Sequence, residues 1–329
     1  MAILNPPGVS VAVVIPCYNV GKLVLDVIAS IPDSIAVIYV IDDRCPIGTG
    51  QLVEQNCQDP RVKVLFHEQN QGVGGAVITG YRAALQAGHD IVVKIDGDGQ
   101  MDPRLIQGFI TPILEGRADY TKGNRFYRLR NVRRMPPVRL IGNAALSFMT
   151  KISSGYWQIF DPTNGYTACH RIALNELDLD TLSRRYFFES DMLFQLNQAR
   201  AVVIDVPMVA KYDDEPSSLR PSRILIPFLR GHFKNTVKRM FGSYFLRGFS
   251  VASAELIAAG LLISFGVIYG SHAWARSVFD AVPATAGSVM LAALPLILGM
   301  QLLLSWLHFD VSSEPKTPLQ RIIGSFHAR

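Results

Sequence analysis

The stretch VVKIDGDGQMDP, residues 92–103, runs from apolar strand-forming residues straight into three aspartates and a glutamine. Asp96 and Asp98 stand two apart, and in an extended chain residues two apart face the same way. Carboxylates placed side by side repel each other, so their natural partner is a hard divalent cation. Mg2+ or Mn2+ is commonly held by one or two carboxylates, with substrate phosphates filling its other positions. Gln100 keeps the same parity and could add a neutral oxygen to that metal site or hold a sugar hydroxyl. A lone Asp-x-Asp more often caps a strand. Here a second acidic pair, Asp42 and Asp43, closes another apolar run, and the two pairs together favour a binding site.

The elements that must carry these acids alternate along residues 10–210. SVAVVIP, AVIYVID, VKVLFH, IVVKID and AVVIDVP are short and rich in Val and Ile, and are expected to be strands. GKLVLDVIASI and GGAVITGYRAALQAG repeat their apolar residues at helical spacing. Such alternation predicts an α/β fold with a mainly parallel sheet covered on both faces. Ligands bind outside the carboxyl ends of such strands. Tyr18 and Asn19 follow the first strand, Asp42 and Asp43 the second, and Asp96 and Asp98 the fourth.

The 329-residue chain has a mean hydropathy of +0.22, and its apolar residues are concentrated near the C-terminus. Residues 287–307 carry no charge, and residues 251–270 carry one acid, Glu255. Each run has the roughly 20 residues that a membrane-spanning helix needs. Arg220, Arg223, Arg230, Lys234, Lys238, Arg239 and Arg247 precede the pair with no acid among them, and Lys316, Arg321 and Arg329 follow it. The loop between has Arg276 balanced by Asp280. By the positive-inside rule both flanks are cytoplasmic. The expectation is an integral, multi-pass protein of a bacterial inner membrane with its large α/β domain on the cytoplasmic side, and MAILNPPGVS lacks the basic leader and apolar core of a signal peptide.

Residues 224–247 place Ile226, Leu229, Phe233, Val237, Met240 and Tyr244 on one helical stripe, flanked by Arg230, Lys234 and Lys238. This is the pattern of a helix lying among lipid headgroups; a helix packed on the domain is the alternative. The basic run abuts a span, which argues for membrane lipid and against nucleic acid as its partner. GVIYG, residues 266–270, offers a G-x-x-x-G contact, so a homo-oligomer is an open expectation. Cys17, Cys45, Cys57 and Cys169 form no C-x-x-C pair and read as structural thiols of a reducing compartment.

VVIPCYN, VIDD, DGDGQMDP and DPTNGYTA, in this order, resemble the family 2 glycosyltransferases of the GT-A fold. With the apolar hairpin added, the chain is similar to the polyprenyl-phosphate sugar synthases. The resemblance implies a nucleotide-sugar donor (UDP- or GDP-sugar), a polyprenyl phosphate acceptor, and a divalent metal. It implies that Pro16, Tyr18, Asn19, Asp42 and Asp43 seat the nucleoside, while Asp96, Asp98 and Gln100 surround metal and diphosphate. Asp191 would face sugar or acceptor, Arg125 and Arg139 would hold the acceptor phosphate, and Lys211 and Ser217 would close over the diphosphate. Plainer readings stand beside these: Arg125 a surface arginine, Asp191 a helix N-terminal acid, Tyr18 a core aromatic. Val20 and RCPIGTG depart from the family pattern near the nucleotide.

The implied division is a GT-A domain over 1–220, an amphipathic juxtamembrane segment over 221–249, a two-span hairpin over 250–309 (251–270 and 287–307), and a cytoplasmic tail over 310–329. The implied reaction is inverting transfer to the lipid phosphate. An ionised phosphate needs no strong base, whereas a hydroxyl acceptor would need Asp191 as one. A dinucleotide-binding oxidoreductase, raised by GVGGAV at 72–77, fails because Val77 stands where the third glycine belongs. A non-catalytic scaffold is disfavoured because neither acid of Asp-x-Asp is lost.

Overall fold

The computed structural model describes residues 8–127, 137–208 and 221–327. The chain divides into two compact units, Met1–Thr236 with Pro315–Arg329, and Val237–Glu314.

The first unit is built on a seven-stranded sheet. Its strands are β1 (Val11–Cys17), β2 (Val37–Asp42), β3 (Val62–Phe66), β4 (Ile91–Lys94), β5 (Tyr120–Asn124), β6 (Thr167–His170) and β7 (Val203–Pro207). They lie in the order β3-β2-β1-β4-β6-β5-β7. β1 pairs in parallel with β2 and β4, β2 with β3, and β5 with β7, while β6 runs antiparallel to both neighbours. Alternate residues of β1 feed opposite faces, as a strand's period of two requires. Ala12 and Val14 join one buried cluster, and Val11, Val13 and Ile15 join the other.

Helices α1 (Leu23–Ala29), α2 (Thr49–Asn56), α3 (Val73–Gln86), α4 (Ile106–Leu114), α5 (Pro137–Ser154), α6 (Arg171–Asn175) and α7 (Phe188–Gln198) connect the strands. Sequence reasoning does not foresee β5 and β6. YTKGN and TACH are short and partly polar, and Thr121, Lys122, Asn124 and Thr167 are nevertheless buried. They are strands because their neighbours pair with them, a tertiary effect that overrides local preference.

The tail also returns to this unit. Helix α11 (Leu319–His327) starts on the buried carboxylate of Asp119, which accepts from Leu319 N at 2.9 Å and Gln320 N at 3.2 Å. Leu319 itself belongs to the core.

Helix α8 (Pro221–Phe241) has an inverted pattern. Its polar His232 and Asn235 are each 4% exposed, whereas Ile226 is 73% and Phe233 72% exposed. His232 Nδ1 lies 2.8 Å from Ser153 Oγ of α5, and Asn235 donates to Asp191 of α7. One face of the helix packs on the domain through His232 and Asn235, while Ile226, Leu229, Phe233 and Val237 of the expected stripe are exposed and Tyr244 is buried.

The second unit contains helices α9 (Val251–Phe279) and α10 (Ala286–Ser312), both long and apolar enough to cross a membrane. They outrun the expected spans because helix continues through residues that are no longer purely apolar. The G-x-x-x-G motif is used inside this hairpin. A Cβ on Gly266 would meet Leu296 Cγ at 2.6 Å, and one on Gly270 would meet Ala292 Cβ at 3.2 Å. Below the hairpin, the buried Arg239 binds Asp310 at 2.6 Å and Tyr244 Oη donates to the same carboxylate at 2.5 Å.

Candidate active site

Strand order reverses between β1 and β4, and a cleft of about 560 Å3 opens at the carboxyl ends of these strands. This is the switch point where α/β sheets bind ligands. Pro16 and Tyr18 reach the cleft from β1, Asp43 from β2, and Lys94, Asp96 and Asp98 from β4. Thr163, Arg185, Tyr186 and Glu189 close its other side.

The acidic pair after β2 organises loops. Asp42 accepts from Cys45 N at 2.7 Å and Gly50 N at 2.6 Å, so both its oxygens are engaged by backbone. Asp43 accepts from Gln71 N at 2.7 Å and Gly72 N at 2.8 Å, and lies 2.8 Å from His67 Nδ1. It thereby fixes the entry to α3 while still lining the cleft. Asn19 adopts a left-handed φ of 58°, and its N–H meets Cys45 Sγ at 3.2 Å, joining the β1 and β2 loops.

The glycines of GVGGAV admit the opposite wall. A Cβ on Gly72 would meet Arg184 O at 2.6 Å, and one on Gly74 would meet Phe188 Cβ at 2.9 Å. The segment carrying Arg185, Tyr186 and Glu189 can approach α3 only because both side chains are missing.

On the floor, Lys94 is 1% exposed. Its Nζ stands 2.8 Å from Asp96 Oδ1 and 3.4 Å from Glu189 Oε1. Burial by itself would lower the ammonium's pKa; the charges of Asp96 and Glu189 more than offset this and raise it. The motif DPTNGYTA packs against this group. A Cβ on Gly165 would come within 2.6 Å of Asp96 Oδ2, so any side chain there would have to displace the ion pair.

The rest of that motif holds a second charged cluster. Arg125 grips the buried Asp161 with Nε at 2.7 Å and Nη2 at 2.9 Å. Lys122 Nζ donates to Asp161 O, and Asn164 Nδ2 reaches Asp161 Oδ2 at 3.3 Å. Burial pushes Lys122 down to about 8 despite the carboxylates of Asp161 and Asp205. Burial also opposes ionisation of Asp161, but Arg125 and Lys122 prevail and hold its carboxyl below the usual range.

The structure thus brings Pro16, Tyr18, Asp43, Asp96 and Asp98 to one cleft. Asp42 and Asn19 shape its loops. Gln100 donates its backbone N–H to Asp98 Oδ1 at 3.0 Å and is not among the lining residues. Arg125 is engaged with Asp161. Asp191 accepts from Ser183 N and from Asn235 Nδ2, both at 2.8 Å, and does not line the cleft. Arg139 lies within α5, but its side chain lies outside the described residues, as do Lys211 and Ser217 entirely.

Sequence reasoning missed Lys94 and Glu189. The lysine had a signal: a cation inside an apolar strand needs acids around it. Glu189 could have been weighed against Asp191, because residues two apart on a helix face nearly opposite ways.

Residues 12–178 match the profile of Glycosyl transferase family 2. The chain belongs to this family. Among its relatives is the UDP-N-acetylglucosamine–dolichyl-phosphate N-acetylglucosaminyltransferase of Methanococcus voltae, 30% identical over 229 residues, 65% of this chain and 90% of the relative. The undecaprenyl-phosphate mannosyltransferase of Micrococcus luteus is 30% identical over 202 residues, 60% of this chain and 82% of the relative. This family 2 glycosyltransferase also shares its fold with glucosyl-3-phosphoglycerate synthase from Mycobacterium tuberculosis, solved with Mn2+ and UDP. That likeness has a TM-score of 0.51 at 20% identity, over 70% of this chain and 80% of the other. The GT-A-type architecture expected from the motifs is therefore the one found.

Proposed function

We propose that this enzyme transfers one sugar, with inversion, from a nucleotide sugar to a polyprenyl phosphate at the cytoplasmic membrane face. The observation that carries the reading is the joining, on one chain, of a switch-point cleft and an apolar hairpin. Both flanks of that hairpin, through Thr236 and from Pro315, belong to the unit that holds the cleft. That connectivity supports two crossings with both flanks on one side, and the basic residues at 220–247 favour the cytoplasm. The exposed apolar stripe of α8 supports placement at the lipid surface. The relatives named as acting on dolichyl and undecaprenyl phosphates support the acceptor class.

In this reading Pro16, Tyr18 and Asp43 seat the nucleoside, and Asp96 and Asp98 face the diphosphate. Their oxygens suit Mg2+ or Mn2+. Among the described residues no group of three His, Cys, Asp or Glu is placed to hold a metal, so these two acids fit an ion that shares its ligands with the nucleotide. When bound, such an ion would neutralise charge on the departing diphosphate. Glu189, held beside Lys94, is placed to accept a hydrogen bond from a sugar hydroxyl. Lys211 and Ser217 remain assigned to closure over the diphosphate, and Arg125 and Arg139 to the acceptor phosphate. The lipid phosphate arrives ionised, and Asp191, engaged by Ser183 and Asn235, is not positioned as a base toward the cleft.

The test is incubation of the full chain in detergent with polyprenyl phosphate and a panel of labelled UDP- and GDP-sugars. One donor should give an organic-extractable product of inverted anomeric configuration, and EDTA should prevent its formation. No product from any donor, or full activity in EDTA, would count against the reading.

A further inference from the structure

Lys94 is a charged residue placed inside the sheet, at the last position of β4, and 1% exposed. Its ammonium stands between two acids from different elements, Asp96 after β4 and Glu189 in the first turn of α7. A Cβ at position 165 would overlap the Lys94 ammonium and come within 2.6 Å of Asp96 Oδ2, so Gly165 leaves free the space in which this ion pair sits. One oxygen of Asp96 is thus already satisfied by a fixed cation. Asp98 is the other acid of the pair, and no third ligand of the His, Cys, Asp or Glu type is gathered with them among the described residues.

We infer that Lys94 is a positioning residue that acts as a resident counter-ion to Asp96 and Glu189, so that a divalent metal enters the site only together with the nucleotide diphosphate. The inference rests on the metal-assisted reading above. A divalent ion approaching Asp96 alone meets the ammonium's charge at short range in a partly desolvated cleft, where Coulomb terms are large. The diphosphate reverses the balance by supplying both negative charge and oxygen ligands. Lys94 also offsets the repulsion between Asp96 and Glu189, so that the two carboxylates can share its ammonium. The order of binding is then built into the floor of the site.

The experiment is Mn2+ binding, read by electron paramagnetic resonance, on the full chain in detergent, with no nucleotide, with UDP and with GDP. The wild type should bind Mn2+ at least about tenfold more weakly without nucleotide than with the one it accepts. Lys94→Met should bind nucleotide-free Mn2+ at least about tenfold more tightly than the wild type, because two acids lose their counter-ion. Lys94→Gln, whose amide can still bridge the two carboxylates, carries the same expectation and serves if the methionine variant does not fold. In Lys94→Met/Glu189→Gln the gain should shrink, since one released acid is gone again.

A loss of packing alone would weaken Mn2+ binding and cannot produce a gain. A folded Lys94 variant that binds Mn2+ no more tightly than the wild type would overturn the inference. Equal wild-type affinity with and without nucleotide would overturn it too, while leaving the metal-assisted transfer intact. Absence of Mn2+ binding in every form, with either nucleotide, would remove the metal-assisted reading and this inference together.

Discussion

The Asp191 carboxylate accepts a hydrogen bond from Asn235 Nδ2 at 2.8 Å, linking the first turn of α7 to the helix with the exposed apolar stripe. Its other oxygen caps Ser183 N at 2.8 Å. Asp191→Asn should therefore lower thermal stability, by about 1–2 kcal/mol for a disturbed charged hydrogen bond, and leave the pH dependence of turnover unchanged. Glu189→Gln should do the reverse, cutting turnover with a small change in melting. Loss of the acidic limb of the pH profile in Asp191→Asn would instead mark that residue as a base.

Arg125 and Asp161 form a two-bond pair in which the acid is buried and the arginine is not wholly so. The Asp161 carboxylate also bears its charge near Lys122, whose Nζ keeps its hydrogen bond to the Asp161 backbone carbonyl whatever the side chain. Asp161→Asn should cost about 3 kcal/mol or more, the usual penalty for breaking a buried pair. Arg125→Ala should cost less and act mainly on the acceptor, raising its apparent KM roughly ten- to a hundredfold with donor binding little changed. Denaturation and separate donor and acceptor titrations check both halves. Equal stability losses would contradict the asymmetry.

His232 is buried against Ser153 and Phe187, and burial depresses its pKa from 6.5 to about 4. The unfolded chain takes up this proton more readily than the folded one. The stabilisation is complete above pH 6.5 and is lost as pH falls toward 4, with a ceiling of about 3 kcal/mol. Melting curves from pH 7.5 down to pH 5 should show a steeper decline for the wild type than for His232→Asn. Parallel declines would assign the acid sensitivity elsewhere.

Asp119 is fully buried and accepts from Val202 N at 2.8 Å as well as from the start of α11. Asp119→Asn should expose the tail to proteolysis near residue 315 before the rest of the domain is cut. Because both flanks of the hairpin are proposed to be cytoplasmic, a cysteine at the exposed Lys316 should resist an impermeant reagent in intact cells while one at Trp274 reacts. Labelling at 316 in intact cells would contradict the cytoplasmic orientation.

Strand ends were the legible part of the site, because β1, β2 and β4 are buried apolar runs that stop at Tyr18, Asp43 and Asp96. A period of two and a change to polar residues suffice to locate them. Assigning individual roles needed contacts between distant segments. Asp42 and Asp43 look equivalent in sequence, yet one binds the backbone of its own loop and the other lines the cleft. Glu189 and Asp191 share a helical turn, and only the packing of α7 decides which faces Lys94. β5 and β6 were illegible because they are short and bury the polar Thr121, Lys122, Asn124 and Thr167 among their few apolar residues, and α11 because nothing local in LQRIIGSFH names Asp119 as its cap.

The central claim, that the acceptor is a lipid phosphate, is tested most directly by paired acceptors. The full chain is given the one donor it uses, with polyprenyl phosphate in one reaction and the matching polyprenol in the other, and initial rates are measured. The account predicts transfer to the phosphate and none to the alcohol. Transfer to polyprenol with none to its phosphate would contradict it.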